Sequence, residues 1–247
     1  VPTDWGLFDL PDPKTQGLMT LEGIDMILKL WSAEAPFDFK GDFWRIRIAD
    51  PVPELGIGEL LKPYQRPHPP IAMSIVKGES MAARTAGQRG YIPISTNLVP
   101  FSIVGRQWEV YCEGAEEGGQ PPPDRANWRV SRSIYVGDST QEARQHCLNG
   151  SFARSYGYLI EVLTSLNMLS LMKRDPQMPD EAVTPEYCMD ELAIVGDVDE
   201  CARQLNELYE VSGGFGTLLM IAQDWDDKEK WHQSIERLAK DVVPQLP

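Results

Sequence analysis

The stretch HPPIAMSIVKGESMAARTAGQRGYIPIS, His68 to Ser95, decides how the chain is read. Ile71 to Val76 is an apolar run interrupted only by Ser74, the pattern of a strand covered on both faces. Lys77-Gly78-Glu79-Ser80 then turns the chain. Glu79 to Gln88 carries Met81, Ala82, Thr85 and Ala86 along one side of a helix that Arg89-Gly90 closes, and Tyr91 to Ser95 begins a second strand. A strand end with serine, a glycine turn and a helix N-terminus hold phosphate in many α/β proteins, because a hydroxyl, free amides and the helix dipole converge there. The same residues also make an ordinary strand-to-helix turn.

Outward from this stretch the alternation continues. Val99 to Glu117 reads as a helix and Trp128 to Val136 as a strand. Asp138-Ser139-Thr140 caps a helix running through Ser151 to Leu169, and Gly196-Asp197-Val198-Asp199 caps another over Glu200 to Val211. A last strand over Thr217 to Gln223 precedes a terminal helix over Lys228 to Val243. Gly213-Gly214-Phe215-Gly216 precedes its strand, the wrong order for a dinucleotide fingerprint, and reads as a turn. Towards the N-terminus, Thr20 caps a helix whose Leu21, Ile24, Ile27, Leu28 and Trp31 recur at helical spacing. Phe43 to Ile48 alternates like a hairpin arm, and prolines at Pro51, Pro53, Pro63, Pro67 and Pro69 make residues 36–69 an excursion from the core. Residues 150–190 form a second, helical insertion. Four buried strands, beginning near Ile71, Tyr91, Arg129 and Thr217, could make an open parallel sheet, but the long excursions after their carboxyl ends look more like loops over a barrel mouth, so part of a TIM (β/α)8 barrel in a single domain is expected. Val1-Pro2-Thr3-Asp4-Trp5-Gly6 has the character of a strand exit, so the chain is expected to be the back part of a longer one.

Composition removes several functions. The 247 residues are 42% hydrophobic and 24% charged, with net charge −14, which disfavours nucleic acid and anionic membranes as partners. Cys112, Cys147, Cys188 and Cys201 have no zinc-type spacing, and His68, His146 and His232 have no ligand-spaced companions, so no metal is expected. No apolar run approaches the ~20 residues of a membrane span, and a reducing cytoplasm is the expected compartment.

The chain resembles the bacterial-luciferase-like, flavin-dependent monooxygenases, in particular their limonene-monooxygenase-like branch. The resemblance rests on Pro2-Thr3-Asp4-Trp5, a helix ending at Leu30-Trp31, Pro36-Phe37-Asp38-Phe39-Lys40-Gly41-Asp42-Phe43-Trp44, and Lys62-Pro63-Tyr64-Gln65-Arg66-Pro67-His68-Pro69-Pro70-Ile71. Val195-Gly196-Asp197 ahead of the glycine turn at 213–216 completes it. It implies a TIM barrel with flavin across the strand ends. It also implies reduced FMN from a separate flavin reductase, O2 as co-substrate, an apolar organic substrate and a homodimer.

On this resemblance the opening turn becomes the phosphate site. Ser74 and Ser80 would contribute hydroxyls and Val76 and Gly78 backbone amides, with Glu79 facing solvent or a base such as Arg84. Ser95 and Thr96 would touch the flavin or merely cap a loop; Asp4 and Trp5 would flank it or lie in a surface turn. Arg132, inside a strand, requires a partner; an acid in the barrel interior is preferred to the cofactor. Tyr156, Tyr158, Leu166, Met168 and Met172 would cover a substrate or pack the insertion. A deazaflavin-dependent oxidoreductase and a catalytically silent flavin-binding or partner subunit are the alternatives; the catalytic residues are left unassigned.

Overall fold

The computed structural model describes residues 7, 9–10, 12–58, 61–221 and 226–246. The chain forms two compact units, residues 1–70 and 71–247.

In the first unit, helix α1 spans Pro13–Ser32. It starts earlier than the apolar spacing from Leu21 suggests, because Asp12 caps it, accepting from the amides of Lys14 and Thr15, with proline at the first position. Strands β1 (Phe37–Lys40) and β2 (Arg45–Ile48) form the expected hairpin. Its tip is tied to α1 by one carboxylate: Glu22 accepts from the amides of Asp42, Phe43 and Trp44, the last at 2.7 Å. A Cβ on Gly41 would sit 2.1 Å from Glu22 Oε1, so only glycine permits this embrace.

The second unit holds a parallel sheet with helices packed on it. Its elements are β3 (Ala72–Ile75), α2 (Met81–Arg89), β4 (Ile92–Ser95), α3 (Phe101–Glu117), β5 (Arg129–Val136), α4 (Thr140–Asn149), α5 (Ser151–Ser165), α6 (Pro185–Glu191), β6 (Ile194–Gly196), α7 (Val198–Ser212), β7 (Thr217–Ile221) and α8 (Lys228–Arg237). The strands run β3-β4-β5, and β5 forks. Residues 129–133 pair with β7, and Ile134, Tyr135 and Val136 pair with β6. The four anticipated strands are present. The three-residue β6 and the short α6 were not anticipated, and the helix expected from Thr140 to Leu169 is broken at Gly150, whose extended backbone caps α5. The terminal helix passes into a π-helical turn over Leu238–Val242.

The α2–α3 pair is fixed by missing side chains. A Cβ on Gly87 would lie 2.1 Å from the Tyr111 carbonyl oxygen, and one on Gly114 2.1 Å from that of Arg84, so the helices meet backbone to backbone. Their outer edge carries ion pairs: Arg84 with Glu113 and Glu117, and Arg106 with Glu79, Glu109 and Glu113. At the start of β5, Arg125 lies over the rings of Trp108 and Trp128 and donates to the carbonyls of Ser212 and Gly214. That clamp shapes the turn at 213–216, where Gly213 and Gly214 take φ of +76° and +92°. The insertion over 150–190 has its own core, in which Phe152, Tyr156, Leu163, Leu169 and Met172 pack with Tyr135 of β5 and Val195 of β6. Tyr156 and Met172 are therefore packing residues, while Tyr158 is exposed. Among the described residues no helix is long and apolar enough to cross a membrane.

Candidate functional site

The carboxyl end of β3 has one face turned to the helices, whereas the apolar run suggested a strand covered on both faces. Ala72 and Ser74 are exposed on one side, and Ile75 on the other is fully buried against Ala83 of α2 and Val110 of α3. The chain then turns through Val76 to Glu79, and Ser80 caps α2, its Oγ accepting from the Ala83 amide at 3.3 Å. Ser80 is 8% exposed. By helix geometry the amides of Met81 and Ala82 point out of this end without intrahelical acceptors.

Gly78 has an ordinary φ, and its lack of a side chain serves close approach. A Cβ there would lie 3.1 Å from Ile103 Cγ2 and close to Arg106. Glu79 pairs with Arg106 at 2.6 Å and not with Arg84, which is held by Glu113 and Glu117. The acid closest to the turn is thereby neutralised. These groups fit a phosphate: a capping hydroxyl with its proton free to donate, outward amides, a glycine in close contact, and a compensated glutamate.

Ser95 is placed differently from Ser74. Register sets Ser74 beside Ile94 and Ser95 beside Ile75, so Ser95 belongs to the helix-covered face. Its hydroxyl accepts from the Trp128 indole nitrogen at 2.9 Å and its carbonyl accepts from Ser131 Oγ. It is fully buried, which is packing and not exposure to a ligand. Asp4 lies outside the described residues.

Arg132 is fully buried and pairs with no acid among the described residues. Its Nη1 donates to the carbonyls of Thr96 and Ser131, its Nη2 lies 3.4 Å from the Val99 carbonyl, and it sits over the Phe101 ring. Burial pulls its pKa down to about 10. The Arg132 Nε and the Thr96 hydroxyl have no partner among the described residues. Beside it, Asn97 Nδ2 donates to Ser133 Oγ, which lies 3.2 Å from the Tyr156 hydroxyl. Desolvation pushes that phenol up to about 12. No sequence spacing signals this cluster, because Asn97, Ser133 and Tyr156 are brought together only by the register of β4 and β5 and the return of α5. Among the described residues no group of three or more His, Cys, Asp or Glu side chains could hold a metal ion.

A parallel sheet with crossover helices packed on it fits part of a TIM-barrel-type fold. The model of the luciferase-like monooxygenase family matches residues 4–214, and the chain belongs to that family. It is 29% identical over 235 residues to 3,6-diketocamphane 1,6-monooxygenase of Pseudomonas putida, covering 92% of this chain and 61% of that protein. It is 27% identical over 150 residues to limonene 1,2-monooxygenase of Rhodococcus erythropolis, covering 61% of this chain and 36% of that one. Among solved structures it resembles the oxygenating constituent of 3,6-diketocamphane monooxygenase from the Pseudomonas putida CAM plasmid, a type II Baeyer-Villiger monooxygenase in complex with FMN. The TM-score is 0.80 at 29% identity, over 94% of this chain and 63% of that one. The chain thus spans somewhat under two thirds of the length of the diketocamphane relatives it matches.

Proposed function

We propose that the chain is the oxygenating part of a flavin-dependent monooxygenase that acts on an apolar organic substrate with O2 and reduced FMN. The observation that carries this reading is the turn after β3, where Ser80, the outward amides of α2 and the glycine contact with α3 make a phosphate cradle in a chain of this family. Bound reduced flavin would supply the electrons for oxygen activation.

The residues of this chain bind and orient. Ser74 and Ser80 offer hydroxyls, Val76 and Gly78 backbone amides, and the α2 dipole favours the dianion. Arg106 pairs with Glu79 and offsets its charge beside the turn. Ala72, Ile94 and Leu219, none of them fully buried, give the sheet face an apolar floor that suits an apolar substrate and keeps water from the reacting centre. In this reading Ser95 supports the strand end from behind through Trp128, and Asp4 remains a candidate flank. A separate flavin reductase, a homodimer and a cytoplasmic setting complete the proposal. The four cysteines are free, which suits a reducing compartment.

Because free reduced flavin consumes oxygen unaided, oxygen uptake alone is no test. The test is transfer of label from 18O2 into product, with FMN, a reductase and a panel of alicyclic ketones and terpenes. Labelled product in which one atom comes from O2 supports the reading. Absence of label across the panel, with FMN bound and reduced, overturns it.

A further inference from the structure

The turn after β3 borders a cavity of about 310 Å3, walled by Val99 ahead of α3, by Ile103 of α3 and by Met168 and Leu171 of the insertion. Lys77, Lys173 and Arg174 all line it, against one acid, Glu79. In a chain of net charge −14 this is a local excess of the opposite sign. Glu79 is paired with Arg106 at 2.6 Å, while Lys173 and Arg174 themselves carry acid partners, Asp180 at 2.5 Å and Glu191 at 3.5 Å, which an anion in the cavity would share. Lys77 is exposed and has no ion pair among the described residues.

The two cations from the insertion are held in place by its fold. Lys173 is 8% exposed and also donates to the Met178 carbonyl at 2.6 Å, which leaves a third ammonium proton. The Arg174 amide donates to the Tyr187 hydroxyl at 2.7 Å. A nine-tenths buried ammonium at the wall of a cavity with apolar sides acts on an anion there with little screening.

We infer that this cavity is an anion pocket in which Lys77, Lys173 and Arg174 complete the grip on the flavin's phosphate monoester that the β3 turn begins. The inference rests on the flavin reading and assigns the insertion a part in cofactor recognition: it makes the protein select FMN over riboflavin.

The test is anaerobic titration of the protein with reduced FMN and with reduced riboflavin, which lacks only the phosphate. The wild type is compared with the Lys77→Gln and Arg174→Gln variants, at exposed positions that do not threaten folding, and with Lys173→Gln checked by its melting temperature. The wild type is expected to prefer FMN strongly. Each exposed variant is expected to weaken FMN by about tenfold while riboflavin stays within about twofold. Inorganic phosphate should compete with FMN and leave riboflavin binding unchanged. An FMN-to-riboflavin preference that is absent in the wild type, or unchanged in Lys77→Gln and Arg174→Gln, overturns the inference and leaves the flavin reading standing. Failure of the wild type to bind either flavin overturns both.

Discussion

The indole nitrogen of Trp128 donates to the hydroxyl of Ser95 over 2.9 Å, in a layer where both residues are fully buried. The bond ties the end of β4 to the start of β5 beneath the helices. Ser95→Ala would leave the indole N–H unpaired in an apolar layer, at a cost of about 1–3 kcal/mol. Urea denaturation should register that loss, while FMN affinity changes little. A large loss of affinity at unchanged stability would instead make Ser95 a ligand contact.

The backbone contact between α2 and α3 makes a second site of sharp sensitivity. Gly87→Ala forces a methyl to within 2.1 Å of the Tyr111 carbonyl oxygen unless the helices separate. Overpacking of this kind costs about 1–3 kcal/mol and sometimes more. The variant should unfold at clearly lower denaturant. Gly17→Ala, in a helix with open space around that position, should not destabilise.

Ser80 separates structural from binding roles through charge. Aspartate is as good an N-cap as serine, so Ser80→Asp should keep the stability of α2 within about 1 kcal/mol. The added negative charge should nevertheless repel a phosphate and weaken FMN by at least tenfold. Ser80→Ala should lose about 1 kcal/mol with a smaller effect on FMN. Differential scanning calorimetry and flavin titration together decide the matter.

Asp197 governs a pH effect. It caps α7, accepting from the Glu200 amide and from the Thr140 hydroxyl at 2.9 Å. These bonds hold its carboxyl below the ordinary aspartate value in the folded state. Its contribution is therefore complete above that value and fades as the pH falls through the lower folded pKa. The stability difference between wild type and Asp197→Ala, measured by denaturation from pH 6 down to pH 2.5, should shrink only at the acidic end.

The β3 strand was legible as an apolar run from Ile71 to Val76 broken only by Ser74, although only one of its faces is buried and Ala72 and Ser74 are exposed; the α2 helix was legible because Ser80 and Gly90 mark its ends. The role of Ser95 was not legible. Whether it faces the helices or the strand-end surface depends on its register against Ser74, and strands joined by a crossover helix carry no local signal of register. The same holds for Arg132: a buried arginine implies a partner, but three backbone carbonyls leave no trace in a sequence the way a carboxylate does. Strand β6 escaped because three residues, Ile194 to Gly196, are too few to form a pattern. The early start of α1 was written in Asp12-Pro13, yet the polar residues of its first turns hid it from an apolar-spacing argument.

Strand β5, eight residues long, lends its first five positions to β7 and its last three to β6. Tyr135, in that final third, also anchors the insertion's core. One ribbon of amides is therefore common property of the sheet and of the cap above it, and deuterium should enter both at a single shared rate.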